Sequence, residues 1–177
     1  MPHYFFLLFF FKKTSNNYTI LFIVFKPTRG NLYRRITVWP KENFVSFQFK
    51  LMSLIGVWRN VFHFTLLHDS SSYGDRCPAL FLINDQIEFV TALNGYRNGA
   101  LCRGLSVPTN VFIPVYYEQR FNATTGNYVI KTFINNTLVN EVVNNDARDF
   151  QDVKLYIGNP WYESPDVIIK DFKYGIF

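Results

Sequence analysis

Residues Trp58–Ala79 read WRNVFHFTLLHDSSSYGDRCPA, and this stretch decides the fold class of the chain. Apolar and polar side chains alternate over its first eight residues, which is the period of a β-strand packed on one side. The alternation assigns Trp58, Asn60, Phe62 and Phe64 to one face and Arg59, Val61, His63 and Thr65 to the other. A polar loop follows, in which Gly74 and Pro78 bracket Asp75 and Arg76 before the apolar run from Leu80. The stretch therefore predicts two sandwich strands joined by a well-formed rim loop.

The same two-residue period continues from Asn31 to the C-terminus, with no sustained helical repeat. Asn135-Asn136 and Thr125-Gly126-Asn127 are typical of tight turns, because Asn and Gly tolerate positive φ. Pro114 lacks a ladder donor, which predicts an edge strand or a bulge. About ten short strands with regular turns predict an all-β fold, an antiparallel two-sheet jelly-roll sandwich.

Length and composition favour one domain. The chain has 177 residues, of which 49% are hydrophobic and only 18% are charged, and we assign residues 31–177 to a single sandwich. Residues 1–30 differ, because the Phe-rich run Tyr4–Phe11 ends at Lys12-Lys13 after eight residues. That run is too short for a transmembrane helix. We treat this segment as a possible signal peptide or a non-native start and expect low order in it.

Charge and cysteine content limit the possible partners. The net charge is +5, but apart from Lys12-Lys13 and Arg34-Arg35 the basic residues are scattered singly, which argues against nucleic acid as a partner. Cys77 and Cys102 are the two cysteines; they form a disulfide if neighbouring strand ends bring them together in an oxidising compartment, and otherwise they are free thiols. Two isolated cysteines do not make a metal site.

Several segments resemble the concanavalin A-like lectin/glucanase jelly rolls, in their animal extracellular, noncatalytic form (LamG and pentraxin-like). The resemblance rests on Trp39-Pro40, Phe44–Phe47, Trp58–Thr65 and Tyr73–Ala79, together with the closing segments Val153–Tyr162 and Ile168–Gly175. It implies two curved antiparallel sheets, secretion, and glycan or matrix binding on a concave face or at the rim.

Motifs for catalysis are missing. Retaining glycosidases of that superfamily carry Glu-x-Asp-x-x-Glu or Glu-x-Asp-x-Glu on one strand, whereas Glu88 stands alone. His63 and His68 have no identifiable nucleophile. The galectin-like His-x-Asn-x-Arg strand is also missing. We therefore expect no enzyme activity.

Loop segments that mix aromatic and polar residues are the candidate ligand sites, because sugars stack on rings and bind Asp, Asn and Arg. The predicted ligand-binding residues are His68, Asp69, Tyr73, Asn94, Tyr96, Arg97, Trp161 and Tyr162. The alternatives are a solvated loop for the first six and a plug at the end of the core for the last two. We expect Asp75 and Arg76 to fasten their loop. A calcium site from Asp69, Asp75 and loop carbonyls is conceivable, although no dense acidic loop supports it; no other cofactor is indicated.

Asn17, Asn122 and Asn135 begin Asn-x-Ser/Thr glycosylation sequences, and the last two lie at predicted turns. We expect a noncatalytic extracellular carbohydrate-binding or adhesion module whose partner is a glycan or a matrix protein. The alternative is a structural domain that contacts proteins and binds no sugar, and a glycoside-active enzyme is a weaker one. A groove lined by aromatic and polar side chains favours sugar binding, and two flat polar faces favour the structural domain.

Overall fold

The computed structural model describes residues 18–21 and 24–177, and these residues form an all-β, two-sheet antiparallel sandwich without helices, as the sequence predicted. No helix in the described residues has the length and apolar character needed to cross a bilayer. The strands are β1 (Tyr18–Leu21), β2 (Leu32–Trp39), β3 (Asn43–Leu51), β4 (Arg59–Thr65), β5 (Ala79–Ile83), β6 (Gln86–Leu93), β7 (Tyr96–Ser106), β8 (Phe112–Asn122), β9 (Asn127–Ile134), β10 (Thr137–Val143), β11 (Phe150–Tyr156) and β12 (Val167–Ile176).

Among the described residues, six strands form each sheet, and every pairing between neighbouring strands is antiparallel. Sheet A has the order β1-β12-β3-β8-β9-β10, and sheet B has the order β2-β11-β4-β5-β6-β7. The last two strands lie beside early ones: Val167 is opposite Leu51, and Val153 is opposite Ile36. The sandwich therefore closes through contacts between the two ends of the chain.

Phenylalanine rings fill the space between the sheets. The Phe62 ring of sheet B lies 5.3 Å from Phe47 and 5.6 Å from Phe172, both of sheet A. These three side chains are buried because they occupy the inward positions of alternating strands. Burying each ring stabilises the fold by about 2 to 3 kcal/mol relative to an exposed ring.

A bulge in β4 corrects the predicted faces of that strand. The register shifts between Asn60 and Phe62, so that Asn60 is opposite Phe81 while Phe62 is opposite Leu80. Val61 consequently packs in the core, where we expected Asn60. Trp58 precedes the strand and is 44% exposed, whereas we predicted it on the apolar face. The alternation cannot reveal a bulge, because one extra residue exchanges the faces on either side of it.

Pro114 lies in β8, an interior strand, contrary to the predicted edge or bulge. It is opposite Gln48 of β3, and on its other side its carbonyl accepts a hydrogen bond from the amide of Asn135 at 2.8 Å. Asn135 belongs to the turn after β9. An interior strand tolerates this proline because its pairing with β9 has already ended at this residue, so that no ladder hydrogen bond needs the missing N–H donor.

Part of the N-terminal segment pairs with sheet A. β1 lies against β12, and the Phe25 amide donates a hydrogen bond to the Ile169 carbonyl at 3.0 Å. The Thr28 amide binds the Ile157 carbonyl at 3.1 Å. Residues 1–17 and 22–23, where we also expected low order, lie outside the described residues, and the division at residue 31 stays a prediction.

The predicted hairpins are confirmed, and one predicted loop is wrong. Asn135 and Asn136 have φ values of 52° and 62° between β9 and β10, and Gly126 has φ 69° in the turn between β8 and β9. The segment Asn94–Asn98, however, is a loop only at Asn94-Gly95, because β7 begins at Tyr96. Tyr96 and Arg97 therefore project from a strand.

Both cysteines are free, so the predicted disulfide is wrong in this structure. Cys77 precedes β5, whereas Cys102 lies on β7 opposite Phe89. Strand β6 separates β5 from β7, so two strand spacings put at least about 10 Å between the two cysteines. A disulfide requires Cα atoms within about 7 Å.

Candidate functional site

The predicted rim segments meet on the outer face of sheet B, where the β4–β5 loop, the loop between β11 and β12 and the start of β7 come together. Arg76 of the β4–β5 loop binds both carboxylate oxygens of Asp69 at 2.9 Å, and it also binds the side-chain oxygen of Asn98 at 2.6 Å. The Tyr162 hydroxyl, from the loop between β11 and β12, donates to Asp69 at 3.2 Å. Arg76 also lies 4.6 Å from the centre of the Phe81 ring. The hydrogen-bonding groups of Asp69 and Arg76 therefore hold these segments of the protein together.

Asp75 anchors the β4–β5 loop from within, as its structural interpretation predicted. Its carboxylate is 1% exposed and accepts hydrogen bonds from the amides of Leu67, His68 and Ser72 at 3.2, 3.1 and 2.8 Å. Burial alone raises the pKa of Asp75, but the three amides lower it more, and the net pKa lies below its ordinary value. The buried carboxylate therefore stays ionised.

His63 lies beneath this loop on the outer face of sheet B, where alternation predicted a solvated position. Its ring is completely buried, because Trp161 packs against it with 5.5 Å between ring centres. Burial lowers the pKa of His63 to about 4. Asn159 Nδ2 donates to His63 Nδ1, and the other ring nitrogen donates to the Asp75 carbonyl. His63 is therefore a neutral structural residue.

Trp161 and Tyr162 cover sheet B from outside, and they do not plug the end of the core. The Tyr162 ring lies 5.2 Å from Phe81 and packs on a small apolar cluster with Ala79 and Val90. Asn159 holds the segment by accepting hydrogen bonds from the amides of both residues. Trp161 keeps 38% of its surface exposed.

The remaining rim candidates do not converge on one pocket. Tyr73 packs on Phe150, 5.9 Å away between ring centres, and its hydroxyl binds the Asp146 carbonyl at 2.9 Å. Asn94 binds the Asn144 side chain and two neighbouring main-chain groups. His68 is exposed, Tyr96 is 75% exposed, and Arg97 binds the Ser71 carbonyl at 3.1 Å. His68, Asp69 and Tyr73 belong to the β4–β5 loop, and Arg97 and Tyr162 contact it.

The two carboxylates considered as calcium ligands, Asp69 and Asp75, already accept hydrogen bonds from N–H groups. Both oxygens of Asp69 accept from Arg76, and the Asp75 oxygens accept from main-chain amides. A cation would have to displace these N–H groups. The described residues contain no group of three or more His, Cys, Asp or Glu side chains that could hold a metal ion.

A groove of about 390 Å³ crosses the opposite surface, the outer face of sheet A. Residues from β3, β8, β9, β12 and the β9–β10 turn line it: Ser46, Phe47, Gln48, Pro114, Val115, Tyr116, Phe133, Asn136, Asp171 and Lys173. None of these was among the predicted ligand-binding residues. The groove combines aromatic rings with amide, hydroxyl, carboxylate and ammonium groups, which is the mixture a polar ligand needs.

Two aromatic rings lie side by side in this groove. Tyr116 and Phe133 are opposite each other on β8 and β9, with 6.0 Å between ring centres, and Phe44 stacks beside Tyr116 at 6.5 Å. All three rings are half-buried, so part of each faces outward. Burial and a hydrogen bond to Glu118 raise the pKa of Tyr116. The phenol therefore remains protonated at neutral pH.

A bulge in β12 places a carboxylate beside the rings. The register with β3 shifts between Lys170 and Lys173, and Asp171 has φ 55° within this irregularity. Gln48 donates to the Asp171 carboxylate at 3.1 Å. In a regular strand two consecutive residues such as Lys170 and Asp171 face opposite sides. The bulge allows Asp171 to face outward as well.

One signal in the sequence pointed to this groove. The inward series Val115 and Tyr117 puts Tyr116 on the outer face, and Phe133 lies between the inward residues Thr132 and Ile134, which are both buried. Aromatic residues at outward positions of neighbouring strands can stabilise a sheet as a cross-strand pair, and they also give it an apolar surface on which a ligand can stack. The pairing of β8 with β9, which brings the rings together, required the structure.

Comparisons with known proteins give distant matches. No protein-family model matches the chain, and no curated protein matches it. Among solved structures, the carbohydrate-binding module CBM66 from Bacillus subtilis is 10% identical with a TM-score of 0.44, over 90% of this chain and 83% of that one. A polysaccharide lyase family 18 structure, aly-SJ02 r-CATD, is 8% identical with a TM-score of 0.45, over 91% of this chain and 88% of that one.

A structure of botulinum neurotoxin type C, whose cell entry depends on interaction with two ganglioside molecules, is 12% identical with a TM-score of 0.49. The alignment covers 97% of this chain and 48% of the toxin chain, so this chain spans about half of that length. These identities and scores are too low to carry an argument about superfamily or ligand. The function of this chain is therefore inferred from its own surface.

Proposed function

We propose that this protein is a noncatalytic carbohydrate-binding module whose binding site is the groove on the outer face of sheet A. The observation that carries the proposal is the pair of adjacent rings, Tyr116 and Phe133, beside the linked side chains of Gln48 and Asp171. Sugar rings present apolar C–H faces that stack on aromatic rings, and their hydroxyls bind amides and carboxylates. Both groups are available within one groove.

Rigid strands hold most of the lining side chains. Gln48, Tyr116 and Phe133 belong to β3, β8 and β9, which are interior strands of sheet A. Such a site orders few groups when a ligand binds, which favours affinity. At the rim of sheet B, by contrast, Asp69 and Arg76 already bind each other. The rim remains a predicted second contact surface.

The carboxylates of the groove support a noncatalytic function. Asp171 is the one carboxylate among the described lining residues, and it accepts a hydrogen bond from Gln48. Hydrolysis of a glycosidic bond uses two carboxyl groups, one on each side of the bond. Glu118, near the groove, accepts from the Tyr116 hydroxyl. The groove thus suits binding better than hydrolysis.

The proposal also includes secretion and membership of the concanavalin A-like superfamily. Asn122 is the exposed last residue of β8 and Asn135 lies in the exposed turn after β9, two positions where an N-linked glycan could be attached. Expression through a eukaryotic secretory pathway should give protein that loses mass on treatment with an N-glycosidase. Asn122→Gln and Asn135→Gln should each remove part of that mass. Unmodified protein that stays inside the cell would contradict secretion.

A glycan array probed with the full chain tests the function, and two variants test the site. Tyr116→Ala and Phe133→Ala should each weaken binding at least tenfold, because each removes a stacking surface. Phe121→Ala is the matched control: its ring is 43% exposed on the same strand as Tyr116, and it is not among the residues lining the groove. Denaturation curves should report folded protein for all three.

A double variant at the rim of sheet B tests the alternative location of the binding site. The double variant Tyr96→Ala with Arg97→Ala should bind like the unaltered protein if the groove is the site. Loss of binding in that variant, with retention in Tyr116→Ala and Phe133→Ala, would move the site to sheet B. An array without any signal would reject carbohydrate binding and favour a structural, protein-contacting domain.

A further inference from the structure

Two lysine side chains converge on one aromatic ring at the end of the sheet A groove. The Lys170 ammonium lies 4.1 Å from the centre of the Phe112 ring, and the Lys50 ammonium lies 5.2 Å from the same centre. All three side chains are half-exposed on the outer face. The ring attracts both cations through the negative face of its π-system. This arrangement concentrates two positive charges over a single apolar surface.

Strand register makes this cluster continuous with the groove. Lys50 is opposite Phe112, and two residues away Gln48 is opposite Pro114, which lines the groove. On the other side of β3, Lys170 is opposite Gln48. The Phe112 ring therefore lies one outward position of β8 beyond Pro114, at the end of the groove.

The two ammonium groups have no carboxylate partner. Among the described residues, no Asp or Glu oxygen lies within salt-bridge distance of Lys50 or Lys170. Residues 1–30 contain no Asp or Glu, so the part of the chain outside the described residues supplies none. Lys173 adds a third positive charge to the groove lining, against the single negative charge of Asp171.

Protection of a sheet edge does not explain these lysines. Lysines often lie on edge strands, where they prevent pairing with another chain. Strands β3, β8 and β12 are all interior in sheet A. Two unpaired cations that share an outward aromatic ring on interior strands instead match the requirements of an anionic ligand with an apolar face.

We propose that the groove binds acidic glycans, and that a carboxylate or sulfate group of the ligand lies at the edge of the Phe112 ring, where it contacts the ammonium groups of Lys50 and Lys170. This inference rests on the proposed carbohydrate-binding function and names its ligand class. One sugar unit stacks on Tyr116 and Phe133, and the anionic group of another unit, about 13 Å further along β8, receives charge-assisted hydrogen bonds from the two ammonium groups. Neutral sugars fit the groove but lack this second contact.

Three hexasaccharide probes separate the contributions of stacking and charge. Heparin hexasaccharide carries sulfate and carboxylate groups, hyaluronan hexasaccharide carries carboxylates only, and the chitin hexamer is neutral. Calorimetric titration of the full chain should give at least tenfold tighter binding for an acidic probe than for the neutral one. The preference should shrink between 50 and 500 mM NaCl, because salt screens exposed charges.

The variants decide whether the preference is local. Lys50→Gln with Lys170→Gln should abolish the preference for the acidic probe and leave binding of the neutral probe within twofold. The matched control is Arg34→Gln with Arg35→Gln, which removes the same number of positive charges, two, from exposed positions on β2 of the other sheet. This control should keep the preference.

The outcomes for the two proposals are distinct. Equal affinity for acidic and neutral probes, or an equal loss in both double variants, would overturn the acidic-ligand proposal while binding of the neutral probe still supported carbohydrate binding. No binding of any probe, together with an empty glycan array, would overturn both. A preference for heparin alone would assign the site to sulfate, and a preference for both acidic probes would assign it to carboxylate.

Discussion

The Asn159 side chain donates a hydrogen bond from Nδ2 to Nδ1 of His63 at 2.8 Å, and both residues are fully buried. This bond determines the tautomer of the imidazole, because an accepting Nδ1 leaves the proton on Nε2, which donates to the Asp75 carbonyl. The Asn159 side-chain oxygen in turn accepts hydrogen bonds from the main-chain amides of Trp161 and Tyr162. One neutral histidine thus links two loops to the outer face of sheet B.

Acid should destabilise the protein through His63. Burial lowers the folded-state pKa to about 4, whereas an unfolded chain binds the proton near pH 6.5. Between these values the unfolded state holds more protons, so stability is full above about pH 6.5 and falls as the pH drops towards 4. We expect a loss of about 3 kcal/mol in the free energy of unfolding, measured by urea denaturation at pH 7, 5.5 and 4.

A pair of histidine variants assigns this effect. His63→Gln should lower stability at pH 7 but flatten its dependence on pH, while His68→Gln, at an exposed position, should keep the dependence. An equally steep dependence in His63→Gln would show that other groups cause it.

Asp75→Ala should lower the free energy of unfolding by about 3 kcal/mol, because three loop amides lose a charged acceptor in a buried place. Asp75→Asn keeps one acceptor oxygen and should cost roughly half as much. Asp149→Ala is the control, since that carboxylate accepts a single exposed amide, from Lys41, at 2.9 Å. Binding at the sheet A groove should be unchanged in all three folded variants; equal stability of Asp75→Ala and Asp149→Ala would contradict the anchoring function.

Gly158→Ala should separate the segment before β2 from the loop after β11. Gly158 has φ +88°, and an added Cβ would lie 2.5 Å from the Thr28 carbonyl oxygen. We expect a loss of about 2 to 4 kcal/mol from main-chain strain and overpacking. Gly126→Ala has a similar φ of +69° with open space around the new atom, and it should cost only about 1 kcal/mol. Thermal denaturation of the two variants measures the difference, and equal costs would refute the close contact.

Thiol labelling should find two free cysteines per chain. In guanidinium without reductant, both Cys77 and Cys102 should react with a thiol reagent. In the native protein both should react slowly, because burial raises the pKa of each thiol and the thiolate is the reactive form. Cys77, which is fully buried, should be the slower one. Two unreactive cysteines in guanidinium would show that they form a disulfide.

The sequence by itself determined the strands and several local details. Alternation in β3 predicts its faces because Phe47 and Phe49 are inward and Gln48 is outward without interruption. Asn135-Asn136 predicts its hairpin because few other residues tolerate positive φ at two consecutive positions. The anchoring of the loop by Asp75 also followed from local chemistry, since its three amide donors lie within eight residues of it.

Only the tertiary structure decided which strands are neighbours, and therefore where a groove can form. Tyr116, Phe133 and Asp171 line one groove because β8 pairs with both β9 and β3, and β3 pairs with β12. The pairing of β3 with β12 joins residues more than 100 positions apart. Alternation reports the face of a side chain but not its partner strand, and a bulge such as the one at Asp171 changes even the face. The burial of His63 is likewise due to a distant loop that covers an otherwise solvated position.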